Sequence, residues 1–424
     1  LWALESLAWD GKYLMRVSLI LARLADKAPD VRMVNTPLNS LRQIFLPWLP
    51  QTSVGVDDRI RILRKIAGEF EEVGWELLTG LLPQNRGFAT FTPRPLWRDW
   101  SLNWSPGVSH QDRIKEEKAC ATMLLDMAGP DELKWLKLIE LLEQFDPQSR
   151  TRIIEGLKGY EVESLNSESR DKIYEALREK ISKHRRYADS NWAFGKSEVD
   201  QLEEVEKYFE PKDYVSRYLW LFDHYPELPD QSIKVPWKER EVAVYEKRRE
   251  VLERILEKDG LEGVLRLAEF AKSPGDVGFT LARAKLVAED EEIIPKLLDH
   301  ENQNIVSLAI SYSSRRFFDE KWDWVDGFVR DAWSANSLVN LALAIRDDDR
   351  VWEFVEKHGE IVEEKYWTQV SRYILPITEE NISYAVSMLL KYNRPFSAIE
   401  VLSHAAYNKM DLSPQLVMDT LFEA

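Results

Sequence analysis

The sequence predicts an all-α fold, an irregular α-solenoid of HEAT- or tetratricopeptide (TPR)-like helix pairs. Three observations carry this. Apolar residues recur at helical spacing along almost the whole chain. Segments start at cap residues followed by proline, as at Thr36-Pro37 and Asp146-Pro147. Glycine is scarce, at 17 of 424 residues, and runs of Val, Ile and Thr are few, which favours helix over strand.

The elements follow in order. "GKYLMRVSLILARLADKAPD" sets Leu14, Val17, Leu21 and Leu24 on one helical face with Ile20 beside them, so Leu21 and Leu24 are expected in the core. "NTPLNSLRQIFLPWLPQT" opens a helix at Thr36-Pro37 and breaks it at Pro47 and Pro50. "DDRIRILRKIAGEF" is expected to be capped by Asp57 or Asp58, and "EEVGWELLTGLLP" stops at Pro83. Short helices joined by tight punctuation are the rhythm of stacked helix pairs.

Helices resume with "QDRIKEEKACATMLLDMAG", "DELKWLKLIELLEQF", "PQSRTRIIEGLKG" and "SRDKIYEALREKISKHRR". The basic run "KHRR" (183–186) closes a helix, where cations suit the dipole, and reads as a solvated face. Two further helical stretches lead to "PELPDQSIKVPWKER" (226–240), a linker by its three prolines and missing periodicity. The expected division is therefore 1–225 as a first helical-repeat segment, 226–240 as linker and 241–424 as a second. In the second, Ser273-Pro274 starts one helix, "EEIIPKLLDH" and "NQNIVSLAISYSSRRFF" form a pair, and "NISYAVSMLLKYNRPFSAIEVLSHAAYNK" reads as a TPR-type hairpin turning at Asn393-Arg394-Pro395. The chain opens on "LWALESLAW", the middle of a helix, and ends inside "SPQLVMDTLFEA", so a longer parent truncated at both ends is expected.

Composition narrows function. Residues 1–200 carry 29 basic and 30 acidic side chains, whereas 201–424 carry 28 and 43. An acidic half repels a phosphate backbone, so no nucleic-acid partner is expected. The longest apolar run near the start, "LMRVSLILARLA", is broken by Arg16 and Arg23, so no membrane span is expected. The single cysteine, Cys120, leaves no internal disulfide and no cysteine-based metal site, which fits a reducing, cytoplasmic setting.

Catalytic signatures are missing. No G-x-x-x-x-G-K-[ST] and no G-x-G-x-x-G occurs to cradle a phosphate, and the six histidines lie far apart with no H-E-x-x-H. "PDELK" (130–134) sets Asp131, Glu132 and Lys134 within one turn at a helix start, where acids suit the dipole. "SRDK" (169–172) sits in a charged helix without the partner motifs of a serine-lysine hydrolase. The carboxylates of 319–327 and 346–350 miss calcium-loop spacing and read as exposed loops. No catalytic residue, cofactor site or metal site is expected.

The segment "FATFTPRPLWRDW" (88–100) stands apart, with prolines, aromatics and arginines where helices surround it. It is expected to lie non-helical against the array, with some of its rings buried. Arg94, Trp97, Arg98 and Trp100 are the candidate protein-binding residues, because Trp and Arg are the usual interface anchors. A scaffold plug, with those arginines paired internally, is the alternative.

Two stretches resemble a known family. They are "WALESLAWDGKYLMRVSLILARLADKAPD…NTPLNSLRQIFLPWLPQT…VGWELLTGLLP…RPLWRDW" (2–100), and "SPGDVGFTLARA" followed by "EKYWTQVSRYI…ENISYAVSMLLKYNRPFSAIEVL". Their apolar and aromatic pattern resembles the C-terminal helical-repeat region of large bacterial STAND-type NTPases, several of which are antiviral defence sensors. The resemblance implies recognition of a viral protein and contact with other domains of the same parent chain, with the NTPase and effector elsewhere. Two alternatives belong to other classes: a structural spacer that binds no external partner, and an enzyme, such as a nuclease, built from dispersed carboxylates.

Overall fold

The computed structural model describes the chain apart from residues 28–34, 84–87, 96–106, 230, 288–289, 330–332, 347, 372 and 374. Helix takes 72% of the chain and no strand occurs among the described residues, so the all-α expectation is met. The chain packs as two compact units, Leu1–Glu210 and Pro211–Ala424. Residues 226–240 therefore lie inside the second unit, and Trp237–Arg240 already form the first turn of a helix.

The first unit runs α1 (Trp2–Ala8), α2 (Gly11–Asp26), α3 (Pro37–Ile44), α4 (Val56–Glu69), α5 (Glu71–Leu81), α6 (His110–Ala128), α7 (Glu132–Glu140), α8 (Pro147–Lys158), α9 (Ser167–Arg186) and α10 (Lys196–Phe209). Side-chain caps start most of them. The Thr36 hydroxyl accepts from Asn39 N at 3.2 Å, and Asp146 accepts from Gln148 N and Ser149 N at 3.1 and 3.4 Å. α4 departs from expectation: its N-cap is Gly55, and Asp57 and Asp58 sit in the first turn without capping. There they face the positive end of the dipole instead. On α2, Leu14, Val17 and Leu21 are buried, but Leu24 is 45% exposed. The buried stripe therefore ends at Leu21, one turn early. At Gly156 a Cβ would fall 2.3 Å from Trp135 Cη2, so glycine makes room for the edge of that indole on α8.

The second unit runs α11 (Tyr214–Tyr218), α12 (Trp237–Phe270), α13 (Pro274–Arg283), α14 (Asp290–Leu298), α15 (Gln303–Phe328), α16 (Ala335–Ala344), α17 (Arg350–Lys357), α18 (Glu360–Gln369), α19 (Ile382–Lys391), α20 (Pro395–Tyr407) and α21 (Pro414–Glu423). α12 and α15 are each broken inside, at Gly260 and at Lys321, both with positive φ. The acidic stretch 319–327 is thus helical around a kink rather than an exposed loop, and its Trp322 and Trp324 are buried. Those two indoles supply the apolar area that draws the stretch inward. α13 and α15 approach so closely that a Cβ at Gly278 would sit 1.9 Å from the Leu308 carbonyl oxygen. α19 and α20 form the expected hairpin, with Asn393 in the left-handed region (φ 57) at the turn and Ala398 fully buried. Throughout, helices pack mainly on neighbours one or two places along the chain.

Candidate protein-interaction surface

The opening segment of the aromatic stretch, residues 88–95, is non-helical and docked on the first unit. Its dock is built by the chain between α3 and α4. The Thr52 hydroxyl donates to Ala8 O at 2.7 Å, and Ser53 N donates to Trp9 O at 3.1 Å. These bonds hold Gln51, 1% exposed, beside the segment. The Gln51 carboxamide then acts like a strand neighbour: its Nε2 donates to Thr90 O at 2.8 Å, and its Oε1 accepts from Thr92 N at 2.5 Å. Gln43 Oε1 accepts from Thr90 N at 2.7 Å. The Thr92 hydroxyl, buried, accepts from Trp9 Nε1 at 3.0 Å. The Arg94 guanidinium sits 5.9 Å from the Trp9 ring centroid, in cation-π range.

Residues 88–95 are non-helical and docked, as expected of the longer segment, and their two phenyl rings point outward; Trp97 and Trp100, the rings most expected to be buried, lie outside the described residues. Phe88 and Phe91 are 87% and 79% exposed. The segment is anchored by main-chain bonds and by Thr92, which leaves the phenyl groups outward. Arg94 is exposed and described; Trp97, Arg98 and Trp100 lie outside the described residues. Gln51, Gln43 and Thr92 were not singled out in the sequence. The one available signal was the polar-apolar-polar alternation of Thr90-Phe91-Thr92, which has the period of an extended strand.

Beside Phe88 lies a cavity of about 350 Å³, lined by Arg42, Leu46, Trp48, Leu82 and Gln144 among others. Its lining mixes leucines with the polar side chains of Gln43, Thr79 and Lys137. Arg42 donates to Glu76 O at 3.3 Å and to Asn39 Oδ1 at 3.4 Å, while its Nε and the Gln144 Oε1 meet no protein partner. Burial lowers the pKa of the Arg42 guanidinium, partly offset by Glu76. Gly80 makes the placement possible, since a Cβ there would come within 2.5 Å of Arg42 Nε. A second cavity, about 540 Å³, lies in the other unit along α13 and α15, where Arg315 is paired with Asp319 at 2.6 Å and rests against Phe279 and Phe318.

The remaining chemical candidates are committed to structure. Asp131 caps α7, Glu132 accepts from the Ser169 hydroxyl at 2.5 Å, and Lys134 pairs with Glu71 at 2.5 Å. Lys172 pairs with Glu168 at 2.6 Å. In the run 183–186 the solvated-face reading fails at His184 alone, while Lys183 is exposed and Arg185 and Arg186 are half-buried. His184 is fully buried, Lys183 and Lys180 bind Glu143 at 2.8 and 2.5 Å, and Arg185 binds Glu203 at 2.5 Å. His184 Nδ1 accepts from Phe194 N at 3.1 Å, which leaves the ring proton on Nε2, 3.5 Å from Glu143. Burial would raise the Glu143 carboxyl, but His184, Lys180 and Lys183 hold it well below the usual range. Burial pushes the Cys120 thiol far up, away from nucleophile chemistry. Among the described residues no group of three or more His, Cys, Asp or Glu side chains could hold a metal ion. Nor is any described helix long and apolar enough to cross a membrane.

Comparison with known proteins finds no matching family model, no matching curated protein and no matching solved structure.

Proposed function

We propose that this chain is a protein-recognition and regulatory module of a larger bacterial protein, the sensor part of an antiviral STAND-type NTPase. Its helices are read as an irregular α-solenoid of HEAT- and TPR-like pairs. Packing of each helix on its near chain neighbours and the α19–α20 hairpin support that stacking. The module works in the cytoplasm, takes a viral protein as partner and contacts other domains of its parent. It carries no cofactor or metal and performs no catalysis itself.

The observation that carries the reading is the docked segment 88–95. Its main chain is fixed by Gln43 and Gln51, yet it presents Phe88 and Phe91 to solvent beside a cavity edged by Trp48. Exposed aromatic rings on a rigid support lose little entropy when they dock, which is the property of an interface anchor.

The test is co-expression of the chain with individual phage proteins, followed by affinity capture. A bound phage protein should be lost from a Phe88→Ala/Phe91→Ala variant, and weakened by Arg94→Ala, with the melting temperature within about 2 °C of the parent. Undiminished capture by the double variant would move the interface elsewhere. Capture of no phage protein at all would favour the structural spacer. Purified chain should show no ATP hydrolysis, and turnover that survives purification would reverse the non-enzyme reading.

A further inference from the structure

We infer that the outer face of α2 is a docking strip for an acidic helix of a partner protein. The inference rests on the recognition reading and adds the partner's charge and shape.

α2 buries Leu14, Val17, Ser18, Leu21 and Ala22 on one side. At about 100° per residue, Lys12, Arg16, Arg23 and Lys27 fall within about 60° of arc on the other side. All four are exposed, and Ile20 and Leu24 flank them at 41% and 45% exposure. The helix carries a single carboxylate, Asp26, against this row.

The row works against the helix that bears it. Three other helices set a cation four residues from a carboxylate: Lys65–Glu69 and Lys172–Glu168 meet at 2.6 Å, and Lys196–Asp200 at 2.8 Å. On α2 the same spacing joins Lys12 to Arg16 and Arg23 to Lys27, and like charges at that spacing repel. A surface that opposes local stability in the free chain marks a functional site, and an anionic partner would relieve both pairs. The strip also adjoins the docked segment. α2 starts two residues after Trp9, whose indole donates to Thr92 of that segment.

Spacing selects the occupant. At a rise of about 1.5 Å per residue, the four cations stand about 6, 10 and 6 Å apart along the axis. Carboxylates at i, i+4, i+11 and i+15 of a second helix repeat those steps on one face. On a strand, rising about 3.3 Å per residue, the middle step takes about three residues and turns the far pair to the opposite side. Ile20 fills the gap between Arg16 and Arg23, so the partner helix needs an apolar residue at its centre. An apolar seat within a charged rim is the anatomy of a protein interface, whereas a phosphate backbone is met by charged and polar groups.

The test titrates the full chain by fluorescence anisotropy with labelled helix-forming peptides of about twenty residues. One carries Glu at i, i+4, i+11 and i+15 around a central Leu, one carries Lys in those places, and one has the glutamates scrambled. The patterned acidic peptide should bind at least about tenfold more tightly than the lysine peptide and about fivefold more tightly than the scrambled one. Arg16→Glu/Arg23→Glu should weaken it about tenfold or more. That variant should not lose melting temperature, since it turns both repulsive pairs into attractive ones. No binding by any peptide, equal binding of the three, or binding untouched by the charge reversal would overturn the inference. Tighter binding of a DNA duplex or of phosphatidylserine vesicles than of the acidic peptide would also overturn it, in favour of a nucleic acid or a membrane. The recognition reading is decided separately. A phage protein lost from Phe88→Ala/Phe91→Ala but retained by the charge-reversed variant would keep that reading and reject the acidic helix. Specific binding of the acidic peptide without capture of any phage protein would do the reverse.

Discussion

The two units solve the same packing problem by different chemistry. Every buried Asp, Glu, Lys or Arg side chain among the described residues belongs to the first unit: Glu5, Arg59, Glu116, Lys134 and Arg178. The Arg59 guanidinium meets Glu116 with its Nε and Nη2, at 2.6 Å in the shortest contact, and its Nη1 donates to Val54 O at 2.8 Å. Burial pushes the Glu116 carboxyl up, and the Arg59 bonds oppose it. The second unit buries no charge and instead stacks large rings. Trp352 and Trp367 lie 5.6 Å apart, and Trp324 stacks on Phe328 at 4.5 Å. Its arginines work from the rim, as Arg394 does by donating to Trp367 O and Val370 O at 3.0 and 2.7 Å. The near-neutral half thus places charge inside, and the strongly acidic half keeps it at the surface. Net charge describes what a unit shows to solvent and says little about what stitches its core.

The largest expected effects would break that contrast. Arg59→Ala should cost about 3–5 kcal/mol, because Glu116 is left buried without its counter-charge. Replacing both partners, as Arg59→Met with Glu116→Leu, should recover most of the loss. Trp367→Ala in the second unit should cost a similar 3–5 kcal/mol by a different route, the cavity left by a fully buried ring. Urea unfolding of the three variants measures this. If the double replacement is as damaging as Arg59→Ala, charge desolvation is not what separates the units.

A middle-sized effect sharpens the boundary of the first core. Leu21→Ala should cost about 2–5 kcal/mol, since Leu21 is fully buried. Leu24→Ala, on the exposed last turn of α2, should change stability by less than about 0.5 kcal/mol. Equal losses would extend the core past Leu21.

The smallest effect concerns pH. Burial, joined by the Glu203 charge and opposed by Arg178, pushes the Glu206 carboxyl from 4.5 up to about 7. The folded state then keeps a proton that the unfolded chain has released. Stability must fall as pH rises from about 4.5 to about 7 and stay level beyond. Glu206→Gln should therefore stabilise the chain by about 1 kcal/mol at pH 8, allowing for partial solvent screening, and leave it unchanged at pH 4. A gain that is the same at both pH values would mean that Glu206 titrates normally.

Much of the fold was legible in the residues themselves. Thr36-Pro37, Asp146-Pro147 and Ser273-Pro274 marked helix starts because caps and prolines act on their own backbone. The stripe Leu14, Val17 and Leu21 marked a buried face because helical periodicity is local. Tertiary structure decided what depends on distant neighbours. Leu24 continues the stripe in sequence, yet it is 45% exposed in the fold. The acidic stretch 319–327 reads as a loop, but burial of Trp322 and Trp324 outweighs its charge and holds it helical. Within the run 183–186 Lys183 stays exposed, but Phe194 and Glu143, distant in sequence, enclose His184. The segment 88–95 divides the same way. Its prolines and aromatics set residues 88–95 apart from the helices on sight. Which of its groups face inward was set by Gln51, some forty residues earlier, whose carboxamide binds the Thr90 and Thr92 main chain while Phe88 and Phe91 stay exposed.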